Sequence, residues 1–235
     1  MNWNTYMGIG RKVLILDTQL DQGRVEISMA ILLVGVGGGS GSGKTTLCRA
    51  LQKELGADKV SIIGTDWYMT RDVGSHNRPE AIDEKRLLKD LDLLSQGKTI
   101  VRGRRLAEPA PIVLIEGHLV FCLPHLVEKL DLKVFIDMDP EERLLRRISR
   151  NVLQAGLELE GVVDWYRKDV QANYWEFIEP TKKMADLIIW GDGDPRKAKL
   201  LGAFLVSLQE HHNCSTNLDK AGEKLDNLDR SPGKY

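Results

Sequence analysis

The chain has 235 residues, 42% hydrophobic, with a formal net charge of −1, a size that suits one α/β domain with a real core and a charge that argues against a nucleic-acid binder held by phosphate contacts. Its cysteines, Cys48, Cys122 and Cys214, form no CxxC pair and stand near no histidine at metal-ligand spacing, which excludes a disulfide framework or structural zinc site and fits a reducing cytoplasm. No apolar run approaches the roughly 18 residues that span a bilayer, and the start lacks the layout of a secretory signal, so a soluble, cytoplasmic protein without a membrane partner is expected.

Residues 1–28 hold VLILDTQ and RVEIS, two short strand-like runs around LDQG, which predict a hairpin extension ahead of the main domain. An alternative is that the functional chain begins at Met29. The main domain is read over residues 29–210. Its apolar runs rich in Val and Ile alternate with helical patterns: ILLVGV, a helix from Lys44, VSII, a helix near Glu84 to Ser95, IVLIEG, VFID, further helices, ADLIIW and a last helix. This alternation predicts a central, mostly parallel five-stranded sheet with helices on both faces. In the last helix Leu200, Leu201, Phe204, Leu205 and Leu208 predict a core-facing stripe. From His211 the text HHNCSTNLDKAGEKLDNLDRSPGKY is polar and predicts a flexible tail over 211–235, with His211 and His212 solvated rather than metal-bound.

The motif G-x-x-x-x-G-K-T runs from Gly38 to Thr45 between the first strand and the first helix. Gly38, Gly39, Ser40, Gly41, Ser42 and Gly43 predict a loop whose N–H groups surround phosphates, assisted by the helix N-terminus. Lys44 reaches the outer phosphates, Thr45 binds Mg²⁺ and Thr46 completes the cradle, so ATP and Mg²⁺ are the expected cofactors in a P-loop NTPase three-layer sandwich. At the end of the second strand, IIGTDWY sets Asp66 where ligands of open α/β sheets collect. Asp66 is the candidate general base, with Tyr68 close behind it. The third strand, PIVLIEG, ends in Glu116, a second candidate metal residue, followed by His118 as a possible substrate contact.

In DPEERLLRRISRNVLQ, Arg143, Arg146, Arg147 and Arg150 fall within about 100° of the helix circumference, opposite Leu144, Leu145, Ile148 and Val152. The expectation is one packed apolar face and one cationic face. From that face Arg147 would neutralise charge developing in catalysis and Arg143 would contact substrate; a merely solvated face is the alternative.

These pieces, taken in order, resemble the uridine kinase and phosphoribulokinase family of P-loop small-molecule kinases. The likeness covers residue 31 to about 210 and rests on GGGSGSGKTT, Asp66-Trp67-Tyr68, Asn77 with RPEAID, IEGHLVF, VFIDMDPEERLLRRISR and EPTKKMADLII. It implies Mg-ATP-dependent transfer of a γ-phosphate to a hydroxyl of a small acceptor, often a nucleoside, with Asp66 as base. It also implies substrate contacts at Asn77 and Arg78, where the family's Asp-His-Pro segment reads Asn77-Arg78-Pro79. VRGRRLAEPAP is too short for the family's base-binding hairpin, and Ala155-Gly156-Leu157 replaces its Arg-Gly-Arg segment. An acidic acceptor such as a sugar phosphate, met by Arg102, Arg104 and Arg105, is the enzymatic alternative. A nucleotide-binding regulator is the alternative outside catalysis.

Overall fold

The computed structural model describes residues 31–229 apart from 71, 72 and 192, with side chains as far as 212. The hairpin expected over 1–28 lies outside the described residues. Strand β1 (Leu32–Gly37) runs into helix α1 (Lys44–Leu55), followed by β2 (Val60–Gly64) and α2 (Glu84–Ser95). Next come a small antiparallel pair, β3 (Ile100–Arg102) and β4 (Arg105–Ala107), then β5 (Ile112–Glu116) and the short α3 (Pro124–Val127). The chain continues through β6 (Leu132–Asp137), α4 (Pro140–Ile148), α5 (Leu159–Trp165), β7 (Leu187–Trp190) and α6 (Pro195–Asp229). The main sheet has five strands in the order β2-β5-β1-β6-β7, all parallel.

Period-two alternation divides each central strand between two cores. Leu32, Val34 and Val36 of β1, with Ile112 and Leu114 of β5, pack under Cys48 and Leu51 of α1 and Leu201 and Leu205 of α6. On the other face Val113, Ile115 and Ile63 meet Leu87, Leu91 and Leu94 of α2 together with Phe121. Gly35 and Gly37 stand between the apolar residues of β1 for a steric reason. A Cβ on Gly35 would lie 2.6 Å from Leu130 and one on Gly37 would overlap the Phe121 ring, so both glycines leave room for side chains packed closely on the strand.

Two expectations are corrected. The stripe on α6 is narrower than predicted: Ala198, Leu201 and Leu205 are buried, whereas Leu200 is 73% and Phe204 45% exposed. At about 100° per residue, the core face follows 198, 201 and 205 and turns its neighbours outward. The backbone of α6 runs on through the polar stretch from His211 to Asp229; no proline interrupts it before position 232. The two faces of α4 are also less cleanly divided than expected: Arg143 and Arg147 are buried, Leu145 is 62% exposed, and Leu144 and Ile148 are half-buried. The cationic side packs against the loop between β1 and α1, where backbone carbonyls and aromatic rings can accept guanidinium groups.

Among the described residues no helix is long and apolar enough to cross a membrane.

Candidate active site

The loop from Gly38 to Gly43 turns β1 into α1 with φ of +128° at Gly38, +88° at Gly41 and +100° at Gly43, a left-handed region that L side chains rarely enter. The same glycines permit close contact: a Cβ on Gly38 would overlap the Ile136 carbonyl, and one on Gly41 would lie 2.8 Å from the Arg143 carbonyl. The loop is thus clamped between β6 and α4. Behind it the Arg143 guanidinium lies 3.8 Å from the centre of the Tyr174 ring while its Nε donates to the Met138 carbonyl. A Cβ on Gly39 would overlap Arg143 Nη1. Arg143 therefore supports the loop from behind, whereas the cavity in front is lined by other residues.

That cavity, about 380 Å³, is bordered by Lys44 and Thr45 at the start of α1, Thr65 and Asp66 after β2, and Glu116 and His118 after β5. Three parallel strands end on the same side of the sheet and deliver these residues to one edge, so the topology alone assembles the group. Thr45 Oγ1 donates to Glu116 Oε1 at 2.8 Å. Lys44 Nζ donates to the Gly39 carbonyl at 2.9 Å, and burial, partly opposed by Glu116, lowers its pKa from 10.5 to about 8. Arg105, on the far strand of the small hairpin, places Nη2 2.9 Å from Asp66 Oδ2.

Arg147 borders the cavity, donates through Nη1 to Ser40 Oγ at 2.6 Å and stacks 4.3 Å over Trp165. Burial and the neighbouring Arg150 lower its pKa to about 10, so it stays cationic at neutral pH. Arg146 donates to the Gly191 carbonyl and borders a second, mostly apolar cavity of about 130 Å³ with Trp190, Gly191 and Pro195. Gly43, Thr46 and Arg146 line both cavities, which makes them neighbours along the loop.

Other predicted contacts lie elsewhere. Tyr68 is buried, and its hydroxyl donates to Asp90 Oδ2 at 2.8 Å; Arg102 also binds Asp90, so this group anchors the hairpin to α2. Asn77 is buried as well and donates to Asp169 at 2.7 Å, alongside Ser75, Trp165 and Asn173. Arg78 is half-exposed, lies over the Phe177 ring and pairs with Glu80 and Glu176. The amide at 77 therefore serves as donor to a carboxylate brought in from a later helix. Thr65 and Asp169 carried no spacing signal of their own, and Arg105, named in the sequence only for an acidic acceptor, gave no sign of its contact with Asp66, which lies 39 residues away.

The Phosphoribulokinase / Uridine kinase family profile matches residues 74–193. A uridine kinase from Chloroflexus aurantiacus is 32% identical over 183 residues, covering 69% of this chain and 88% of that protein. One from Ligilactobacillus salivarius is 34% identical over 187 residues, covering 71% and 88%, and one from Brevibacillus brevis is 33% identical over 209 residues, covering 78% and 98%. Among solved structures, a candidate fructose transport system kinase from a Silicibacter species superposes with a TM-score of 0.55 at 19% identity, over 72% of this chain and 92% of its own, a likeness of fold. Loop, sheet order and sequence relationship agree: the chain belongs to the phosphoribulokinase/uridine kinase family of P-loop kinases.

Proposed function

We propose that this protein is an ATP-dependent kinase that transfers the γ-phosphate to a hydroxyl of a nucleoside or related ribosyl metabolite. The observation that carries the reading is that Asp66 shares one cavity with Lys44, Thr45 and Glu116. A nucleotide-binding regulator has no use for a carboxylate there, whereas a kinase needs one opposite its phosphate loop. The uridine kinases among its relatives support a nucleoside as acceptor.

In this reading the loop amides and Lys44 hold the phosphates, and the apolar cavity beside Trp190 takes the base of ATP. The residues fit Mg²⁺: Thr45 Oγ1 and Glu116 Oε1 are hard oxygen donors side by side at the helix start. Bound there, Mg²⁺ offsets charge on the phosphate oxygens. Asp66 accepts the proton of the acceptor hydroxyl and directs that oxygen at the γ-phosphate. Arg147, whose nearest polar partner is a hydroxyl and not a carboxylate, keeps its charge available to the transferring group. Rate enhancement comes mainly from alignment and fixed charge.

A second reading is favoured by the Arg105–Asp66 pair. A guanidinium beside the base suits an acceptor bearing a phosphate or carboxylate, which would take over Arg105 as it frees Asp66.

Labelled ATP offered with uridine, cytidine and ribulose 5-phosphate tests the proposal. Product is expected with a nucleoside, and Asp66→Asn should lower turnover by about 10²- to 10⁴-fold while ATP binding persists. Undiminished turnover in that variant would remove Asp66 from the mechanism.

A further inference from the structure

Asp169 follows α5 and belongs to none of the motifs read from the sequence, yet its carboxylate gathers donors from two parts of the chain. Oδ1 accepts from the Ser75 hydroxyl and from Asn173 Nδ2, and Oδ2 accepts from Asn77 Nδ2 at 2.7 Å and Trp165 Nε1 at 2.9 Å. A carboxylate offers about four lone-pair positions, and these donors use all of them. Asp169 has no capacity left for a ligand. Its partners are neutral, and Asn77 and Asn173 are buried, so removing the carboxylate would strand donors that water does not reach.

Each side of this junction leads to the large cavity. On one side, Ser75 Oγ accepts from the Asn77 backbone N–H at 3.0 Å, and between them the His76 carbonyl lies 3.2 Å from Nε2 of His118, which borders the cavity. Residues 75–77 are thereby fastened both to the segment after β5 and to the helical turn after α5. On the other side, the Arg147 guanidinium lies 4.3 Å from the centre of the Trp165 ring, and its Nη1 donates to Ser40 Oγ of the phosphate loop at 2.6 Å. Arg147 Nε is buried without a partner among the described residues, so the ring and the Ser40 hydroxyl are the contacts that aim the guanidinium. Trp165 itself is 43% exposed. Its bond to Asp169 therefore does more than packing to fix the indole.

From these contacts we infer that Asp169 is a positioning residue that holds residues 75–77 and, through Trp165, the Arg147 guanidinium in one fixed relation. It touches neither nucleotide nor acceptor. The same carboxylate sets the segment packed on His118 and the direction of the cation at Ser40. Groups whose rotamers are locked by bonds behind them lose less order when reactants align. A carboxylate is required at 169 because an amide would turn its own N–H donors toward those of its partners, and a hydroxyl accepts too few bonds. The inference rests on the kinase reading above and deepens it.

The test uses the full chain with Mg-ATP and uridine, cytidine or ribulose 5-phosphate, comparing wild type with Asp169→Asn, Trp165→Phe and the double variant. Trp165→Phe keeps a ring beside Arg147 but loses the N–H, so kcat should fall about 10-fold while the acceptor KM stays within about twofold, the loss of one bond to a charged group. Asp169→Asn releases residues 75–77 as well, and should lower kcat by about 10- to 100-fold and raise the acceptor KM about fivefold or more. In the double variant kcat should match Asp169→Asn alone within about twofold, because both changes cut the same link. Hydrogen exchange reads the other half without turnover: the amides of residues 75–77 should exchange about 10-fold faster in Asp169→Asn and at the wild-type rate in Trp165→Phe. A thermal shift with Mg-ATP verifies that Asp169→Asn is folded. Should it not fold, Trp165→Phe and Ser75→Ala cut one link each, and kcat must fall in the first and the acceptor KM rise in the second. Wild-type kcat in Trp165→Phe, multiplying losses in the double variant, or unaltered exchange at residues 75–77 would overturn the positioning role alone. If wild type phosphorylates none of these acceptors, the kinase reading fails and the role of Asp169 in catalysis fails with it.

Discussion

The Arg105 guanidinium lies 2.9 Å from the Asp66 carboxylate, so the acid proposed as catalytic base faces a cation from a hairpin 39 residues away. Both side chains are about half-exposed, which limits the pair to roughly 0–1 kcal/mol of stability. Arg105→Ala should leave the unfolding midpoint nearly unchanged. For a neutral nucleoside, kcat/KM should rise by up to about fivefold, because the competitor for Asp66 is gone. A loss of tenfold or more in steady-state assays would instead identify an anionic acceptor.

Asp90 is fully buried and holds Arg102 and the Tyr68 hydroxyl. Burial, reinforced by Asp90, raises the Tyr68 pKa, so the phenol remains a donor throughout the working range. Asp90→Ala leaves the guanidinium without its counter-ion and should cost about 3–5 kcal/mol in urea unfolding. Tyr68→Phe removes one hydrogen bond and should cost about 1 kcal/mol. A small effect of Asp90→Ala would mean that the hairpin is held by other contacts.

Lys44 has a folded pKa of about 8 against 10.5 in the unfolded chain. Between those values the unfolded state binds more protons, so this group makes stability rise with pH across that window. Below pH 8 Lys44 is charged in both states and its desolvation cost, on the order of 3 kcal/mol, is complete. Lys44→Met should therefore stabilise the free protein at pH 7 while abolishing the stabilisation that Mg-ATP confers. Urea unfolding with and without nucleotide checks both parts.

Gly39 faces Arg143 at the back of the phosphate loop. Gly39→Ala should displace the guanidinium from the Tyr174 ring, lower stability by about 1–3 kcal/mol and weaken ATP binding. Arg143→Ala removes the obstacle, so the two substitutions together should cost less than the sum of each alone. Additive effects in calorimetry and ATP titration would show that the contact is not shared.

Much of this site was legible as local pattern. The run from Gly38 to Thr45 specifies its own backbone, since positive φ at its glycines and the following helix start depend on neighbours in the chain. Asp66 and Glu116 were legible for a related reason: each ends an apolar strand, and parallel strands bring their carboxyl ends to one edge. The arginines of α4 were legible as a face but not in direction. Their spacing is that of a solvated face, and only the approach of Ser40, Gly39 and the rings of Tyr174 and Trp165 turns that face inward.

The sequence by itself determined the phosphate loop, the alternating α/β order and the strand-end acids, because each depends on residues a few positions apart. Tertiary structure alone decided that Tyr68 serves Asp90, that Asn77 serves Asp169, that Arg105 meets Asp66 and that Thr65 is buried unpaired beside Gly117. Those outcomes depend on which donor reaches which acceptor across folded elements, a matter of distance and burial that spacing along the chain does not encode.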